Sequence, residues 1–233
     1  RKKGQKVAAK RADRESSEGA VIAKVSSDFT KGVIISLNCE TDFVAKNEGF
    51  LELANNIAEA ALECENIDEL LNFKIKSITI SERLLEQTGV IGEKLVVGNF
   101  EKLSSNYVGK YIHAGNKIAT LSGLSLNIDG IEEVAKNIAM QAAAMNPIAL
   151  DENGVDKQTI DKEIEIAKDQ LRLEGKPEVL LDNIAKGKLK RFFKDNTLIN
   201  QDFIKDNKQS VSAYIKSFNE ELKVVGFKRV SLL

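Results

Sequence analysis

The sequence is poor in the residue types on which catalytic and metal sites commonly depend. Its 233 residues include one histidine, two cysteines, two prolines and no tryptophan. A single histidine, His113, excludes a zinc site built on two histidines and a metalloprotease helix of the HExxH type. The phosphate-binding patterns GxxxxGKS, GxxxxGKT and GxGxxG, an EF-hand loop and the serine-hydrolase motif GxSxG are also missing. We therefore expect neither a metal nor a cofactor, and no enzyme activity.

Long apolar runs are missing as well. No segment approaches the roughly 18 apolar residues of a membrane-spanning helix, so we expect no contact with a membrane. Cys39 and Cys64 lie far apart in the sequence and do not form a CxxC pair. A disulfide between them stays open, but two cysteines in a large chain without an apolar signal segment favour free thiols in the cytoplasm.

Charge is unevenly distributed along an almost neutral chain. There are 34 Lys and Arg residues against 35 Asp and Glu residues, which gives a net charge of −1. Residues 1–14 hold seven basic residues and one acidic residue, so this arm carries +6 and the remainder carries −7. A basic arm could bind nucleic acid, but its few apolar side chains favour a solvated helical linker. Because the chain begins at Arg1 rather than Met, we expect that another domain precedes this linker.

The predicted elements begin with two strands and two helices. β-Branched and apolar residues predict strands at Ala20–Val25 and Gly32–Cys39. Asn47 is a good helix cap, and apolar side chains at 3.6-residue spacing predict a helix from there to Cys64. A second helix, for which we predict Ser81 as the cap, precedes a third strand at Leu95–Leu103.

The same order of elements then recurs. Strands are predicted at Tyr107–His113 and Lys117–Leu124, a helix at Ile131–Met145 and a closing strand at Val224–Leu232. We therefore predict an α+β fold of two β-β-α-α-β repeats, each a three-stranded antiparallel sheet covered by helices. Open sheet faces favour face-to-face packing of the two repeats, and the resulting shallow surfaces favour a binding or regulatory protein.

The second repeat contains an insertion. Apolar residues at 4-3-4 spacing predict a helical hairpin at about residues 156–195, with Gly175 and Pro177 between its helices. The hairpin either extends into solvent or packs flat on the sheet. The predicted domains are accordingly a basic linker at 1–19, a first core repeat at 20–103 and a second core repeat at 104–233.

Four segments carry a resemblance to a known family. Asn38–Asn47, with the sequence NCETDFVAKN, closely resembles the signature loop of elongation factor Ts, the guanine-nucleotide exchange factor of elongation factor Tu. Tyr111–Gly115 (YIHAG), Ala139–Pro147 (AMQAAAMNP) and Gln201–Asp206 (QDFIKD) resemble further family motifs in the same order. The resemblance covers nearly the whole chain and implies duplicated β-β-α-α-β units with an inserted helical hairpin. It also implies a preceding three-helix domain that binds the GTPase, of which residues 1–19 resemble only the linker.

The resemblance implies a site in the signature loop and a partner for it. Asp42, Phe43, Val44 and Ala45 are implied to displace Mg²⁺ on elongation factor Tu, in its GDP-bound and nucleotide-free states, with Thr41 supporting the turn. A large, rigid and apolar Phe43 suits insertion into a partner pocket. From the residues alone, the alternative is the start of a helix, with Thr41 or Asp42 as its cap and Phe43 packed into the core.

Three residues elsewhere are weaker candidates for partner contact, and two of them have a structural alternative. They are His113, Gln141 and Met145. His113 suits a structural position beside a turn better than partner contact, and Met145 equally suits core packing.

Two other functions stay open. An RNA-binding translation accessory protein would use the basic residues 1–14, although the acidic remainder and the few aromatic residues make binding to nucleic acid the weaker prediction. An enzyme would need a carboxylate pair such as Glu40 and Asp42. Alternating side chains at a strand end rarely converge on one substrate without a cleft.

Overall fold

A computed structural model describes the backbone of residues 2–233 and their side chains, apart from those of residues 2–4 and 8. Two compact units are present: the first contains the residues up to Ala143 together with Val225–Leu233, and the second contains Ala144–Val224. In chain order the elements are α1 (Lys2–Lys10), β1 (Glu18–Val25), β2 (Lys31–Cys39), α2 (Asp42–Ala45), α3 (Glu48–Ala61), α4 (Ile67–Asn72), β3 (Lys74–Ile75), β4 (Ile78–Thr79), α5 (Ile80–Ile91), β5 (Val96–Ser104), β6 (Tyr107–Ile112), β7 (Ile118–Leu124), α6 (Ile131–Met145), a 3-10 turn (Glu152–Gly154), α7 (Lys157–Leu173), α8 (Glu178–Asn196), β8 (Asp202–Phe203), β9 (Asp206–Ser210), α9 (Val211–Phe218) and β10 (Val224–Ser231).

Two three-stranded sheets form the framework of the first unit. Their strand orders are β1-β2-β5 and β10-β7-β6, and β1/β2, β2/β5 and β6/β7 pair antiparallel. In the first repeat, β1 and β2 are followed by helices including α3 and α5 and then by β5. In the second, β6 and β7 are followed by helices including α6 and α9 and then by β10, so the order β-β-α-α-β holds in both repeats. The predicted α+β fold with two such repeats is therefore confirmed. The domain boundaries at residues 19 and 103 stay a prediction.

Both faces of the first sheet are buried, which explains its nearly continuous apolar strands. Ala20 and Ile22 of β1 belong to one core cluster together with Phe50 of α3. The alternating neighbour Val21 belongs to a second cluster, with Leu121 of β7. Since successive side chains of a strand point to opposite faces, one face of the sheet packs on helices and the other on the second sheet. The predicted face-to-face packing is present.

Helix α6 packs closely against the second sheet. A Cβ atom at Gly109 would lie 2.5 Å from the Cβ of Ala135, so this strand position admits only glycine without rearrangement. The buried hydroxyl of Thr120 donates to the carbonyl of Ala139 at 2.6 Å, and that of Ser122 donates to the carbonyl of Ala135 at 2.7 Å. Polar strand residues on this face are thus satisfied by the helix backbone.

The caps of the helices agree with the sequence prediction in one case and correct it in another. The Asn47 side chain accepts hydrogen bonds from the backbone of Gly49 and Phe50 at the start of α3, as predicted. The prediction that Ser81 caps α5 is wrong. Thr79 is the cap: its hydroxyl oxygen accepts from the Glu82 N–H, and the Glu82 carboxylate accepts from the Thr79 N–H, a reciprocal pair that Ser81 cannot form because Leu84 stands three residues after it.

The second unit contains the predicted helical hairpin. The buried residues of its two long helices, α7 and α8, are Ala167, Leu171, Leu181 and Ala185. The side chains of Lys168 in α7 and Asp182 in α8 form an ion pair at 2.9 Å. Apolar seam residues and flanking ion pairs are typical of a two-helix coiled coil. Whether the hairpin extends into solvent or packs on a sheet stays a prediction.

Candidate partner-binding site

The candidate site is the turn that follows β2. Thr41 has extended backbone angles and caps α2, with its hydroxyl oxygen accepting a hydrogen bond from the Val44 N–H at 3.4 Å. After Lys46, Asn47 caps α3, so a four-residue helix and a long helix follow one another with a single residue between the first helix and the second cap. Two consecutive caps explain why Thr41 and Asn47 occur at this spacing.

Phe43 points away from the core. Its side chain is 83% exposed, whereas Ala45 is buried and Val44 packs against the core of the first unit. The helix-start alternative is thus correct in allowing Thr41 as the cap, but its packing of Phe43 into the core is wrong. A four-residue helix covers just over one turn, so burial of Val44 and Ala45 directs Phe43 to solvent.

Asp42 is already paired within the turn. Its carboxylate accepts a hydrogen bond from the Lys46 ammonium at 2.7 Å, four residues later. This bond lowers the pKa of Asp42 below its ordinary value. The carboxylate is therefore ionised at neutral pH, and a partner group that binds it must compete with Lys46.

A glutamate that the sequence does not single out holds the turn from the end of α5. The Glu93 carboxylate accepts hydrogen bonds from the backbone N–H groups of Glu40 and Thr41, at 3.1 and 3.0 Å. It also accepts one from the Thr41 hydroxyl at 2.6 Å. The only sequence signal is a carboxylate directly after Gly92, which ends α5 in the left-handed conformation with a φ of +85°. That signal alone points to no function.

Glu40 makes a complementary set of contacts. Its carboxylate accepts hydrogen bonds from the Lys94 backbone N–H at 2.8 Å and from the Arg11 guanidinium at 2.6 Å. Partial burial acts to raise the pKa of Glu40, but these two donors outweigh it, so the pKa is lowered. Glu40 and Asp42 therefore bind different groups, which is no arrangement for a catalytic pair. Arg11, a member of the basic arm, is occupied by a carboxylate of the same unit.

A cleft of about 670 Å³ lies beside Phe43. Residues of α2, α3 and α5 line it, among them Phe43, Leu53, Arg83 and Val90. Val90 is 77% exposed, and the buried Nε atom of Arg83 has no hydrogen-bond partner. Two exposed apolar side chains beside a shallow cleft are typical of a protein-binding surface.

The three weaker candidates occupy different environments. His113 is exposed at the β6–β7 turn, with its Nδ1 atom 3.1 Å from the Tyr111 hydroxyl. Gln141 is completely buried in α6, and Met145, at the end of α6, is 44% exposed. Partner contact by these residues stays a prediction, and Gln141 would require local opening to take part.

Three further findings concern the described residues. They contain no group of three or more His, Cys, Asp or Glu side chains that could hold a metal ion. Within the same part of the chain, none of the helices is both long and apolar enough to cross a membrane. Cys39 and Cys64 are buried and unpaired with each other.

Sequence comparison places this fold and turn among known proteins. Residues 40–232 match the family profile described as "Elongation factor TS". Over 232 residues the chain is 66% identical to elongation factor Ts of Christiangramia forsetii and 63% identical to that of Flavobacterium psychrophilum, covering all of this chain and 85% of each relative. Over 233 residues it is 45% identical to elongation factor Ts of Amoebophilus asiaticus, covering 99% of this chain and 84% of that protein. The resemblance carried by the turn after β2 is confirmed, and the chain belongs to the elongation factor Ts family of translation elongation factors.

Proposed function

We propose that this chain is a cytoplasmic guanine-nucleotide exchange factor that binds elongation factor Tu and accelerates GDP release by inserting Phe43 into it. One observation supports this most directly: a phenylalanine that is 83% exposed at the tip of a braced turn. Exposing a large aromatic ring to water is unfavourable, and burying one contributes roughly 1.5–3 kcal/mol. A partner pocket for Phe43 accounts for its exposure.

The proposed mechanism is a coupling between two bound partners and involves no covalent step. A GTPase holds GDP through phosphate contacts at a helix N-terminus and through Mg²⁺. If binding of Phe43 weakens nucleotide affinity by some factor, bound nucleotide weakens this protein's binding by the same factor. Insertion of Phe43 near the metal site of elongation factor Tu is thus sufficient to weaken its hold on GDP. In this mechanism the protein acts by binding alone and is not an enzyme.

The neighbours of Phe43 have distinct proposed parts in this step. Val44 and Ala45 attach the turn to the core, so that force on Phe43 is resisted by the first unit. Asp42 exchanges the Lys46 ammonium for a group of the partner that supports its Mg²⁺. Thr41 keeps the turn closed by capping α2. In this proposal the Mg²⁺ belongs to the partner, and the part of the chain that the structure describes contains no cluster of side chains that could hold it.

The test is the rate of release of fluorescently labelled GDP from elongation factor Tu. The intact chain is compared with Phe43→Ala and with Phe29→Ala as the matched control. Phe29 is 40% exposed and precedes β2, whereas Phe43 follows it. β2 has nine residues, which at about 3.3 Å each separate its two ends by roughly 30 Å, so the control lies near the opposite end of the strand.

We expect the intact chain and Phe29→Ala to accelerate release equally. Phe43→Ala should lose at least about tenfold of the acceleration, because truncation of a buried aromatic anchor commonly costs 2 kcal/mol or more. Equal rates with the intact chain and with Phe43→Ala would overturn the proposal for Phe43. No acceleration by the intact chain would overturn the exchange function itself.

A further inference from the structure

We propose that Glu93 is the positioning residue of the Phe43 turn: its carboxylate holds α2 in the one geometry that presents the ring to the partner. The three hydrogen bonds that Glu93 accepts all come from Glu40 and Thr41, the two residues directly before α2. Glu93 itself belongs to the segment that follows α5. The expected effect of Glu93 on GDP release rests on the proposed exchange function, but the positioning of α2 can be measured in the free chain.

The contact between the two segments is reciprocal. Glu93 accepts from the backbone of Glu40, and Glu40 accepts from the backbone of Lys94. Each segment thus contributes one carboxylate and at least one N–H group to the other. Hydrogen bonds to ionised acceptors are shorter and about twice as strong as neutral ones, so this pair of glutamates forms a firm clamp. Arg11 adds a further donor to the Glu40 side of the clamp.

The clamp reaches α2 through one hydroxyl group. The Thr41 hydroxyl donates a hydrogen bond to the Glu93 carboxylate. In this orientation a lone pair of the Thr41 hydroxyl oxygen faces the Val44 N–H and accepts from it. Without the carboxylate, that hydroxyl is free to rotate and to donate elsewhere. The orientation that caps α2 is therefore selected by Glu93, which acts on the Phe43 turn through Thr41.

Helix α2 depends on such support because of its length. The first turn of any helix is costly to form, and a four-residue helix gains almost no further backbone bonds to offset that cost. Its geometry must come from its cap and from the burial of Val44 and Ala45. A frayed α2 would let Phe43 take many directions, and ordering it on binding would then reduce affinity.

The first experiment measures amide hydrogen exchange by NMR in the free full chain. The variants are Glu93→Ala, Glu93→Asp and Glu93→Gln. We expect about tenfold faster exchange at Val44 and Ala45 in the first two, because alanine lacks the acceptor and aspartate is one methylene too short. Glu93→Gln should show an intermediate increase, since its amide oxygen still accepts from the two backbone groups but its NH₂ cannot accept from the Thr41 hydroxyl.

A matched control separates positioning from general stability. Glu82→Ala removes a carboxylate within α5 that likewise accepts a backbone hydrogen bond, from Thr79. We expect Glu82→Ala to leave exchange at Val44 and Ala45 unchanged, and the Glu93 variants to leave the core of α3 unchanged. Unaltered exchange at the turn in Glu93→Ala, or an equal rise throughout α3, would overturn the proposal.

The second experiment is a double-mutant cycle on GDP release. Glu93→Ala should lower the acceleration about tenfold in the parent chain and have no further effect in Phe43→Ala, because it acts only through that ring. The same fold loss in both backgrounds would show that Glu93 does not act through Phe43. If the intact chain fails to accelerate release, the exchange function falls, while the hydrogen-exchange result still decides the positioning.

Discussion

The hydroxyl of Thr41 lies 2.6 Å from the carboxylate of Glu93, although 52 positions separate the two residues in the chain. This contact joins the end of β2 to the end of α5 immediately before the exposed Phe43. The bond is partly buried and its acceptor is a carboxylate, so removing one of its members should cost about 1–3 kcal/mol. The contact therefore has measurable consequences for stability as well as for the turn.

Thr41→Val tests those consequences. Valine keeps the shape of threonine but neither donates to Glu93 nor caps α2. We expect the free energy of unfolding to fall by about 1–3 kcal/mol, measured by urea denaturation. Thr41→Ser keeps the hydroxyl and is the control, with a smaller loss. Equal losses in the two variants would show that the hydroxyl contributes nothing.

Two phenylalanines seven positions apart should respond oppositely to truncation. Phe43 is 83% exposed and Phe50 is 1% exposed. Phe43→Ala should change the free energy of unfolding by no more than about 0.5 kcal/mol, as is usual for surface substitutions. Phe50→Ala should lower it by about 3–5 kcal/mol because it leaves a cavity. Guanidinium denaturation measures both, and a loss above 1 kcal/mol in Phe43→Ala would contradict the exposed position.

The thiol of Cys39 should be chemically inert in the folded chain. Burial, reinforced by the nearby Glu93 carboxylate, raises the pKa of Cys39 to about 12. Because the thiolate is the reactive form, we expect no alkylation by iodoacetamide at pH 8 until the protein is denatured. Mass spectrometry of the alkylated chain measures this. Rapid modification of native Cys39 would contradict the burial at the base of the turn.

The carboxyl group of Asp28, in the turn between β1 and β2, should titrate at unusually low pH. Hydrogen bonds from the Ser26 hydroxyl and from the backbone and hydroxyl of Thr30 lower its pKa to about 2. Since its folded pKa lies below its unfolded pKa, Asp28 stabilises the fold above about pH 4, and this contribution is lost as the pH falls towards 2.

An NMR titration of the Asp28 carboxyl carbon gives this pKa directly. Ser26→Ala removes the strongest of the three donors, so the pKa of Asp28 should rise. Asp28→Asn should remove the corresponding part of the pH dependence of unfolding. A wild-type midpoint near 3.9 would contradict the hydrogen-bonded turn.

Local pattern was sufficient for most of the elements. Helix α6 begins and ends where its apolar spacing predicts, and the strands of both sheets differ from prediction by at most two residues at either end. The start of α5 shows that a residue type suited to capping does not by itself identify the cap of a helix. Ser81 and Thr79 are both acceptable caps, and the glutamate three residues after Thr79 decides between them.

The site was only partly accessible from the sequence. The prediction that Asn47 caps α3 is confirmed, and of the two caps named in the helix-start alternative, Thr41 is the one that the structure uses. The direction of Phe43 was open, because a hydrophobic residue at the start of a helix packs inward or outward according to what lies beside it. The role of Asp42, Phe43, Val44 and Ala45 in displacing Mg²⁺ stays a prediction, which the GDP-release experiment tests.

The sequence alone determined the family, the order of strands and helices and the position of the signature loop, since each depends on residues that are close together in the chain. Tertiary structure alone decided that Phe43 faces solvent and that Glu93 holds Thr41. The physical reason is that both depend on the end of α5 meeting the end of β2. No periodicity or motif within either segment encodes a contact between residues 52 positions apart.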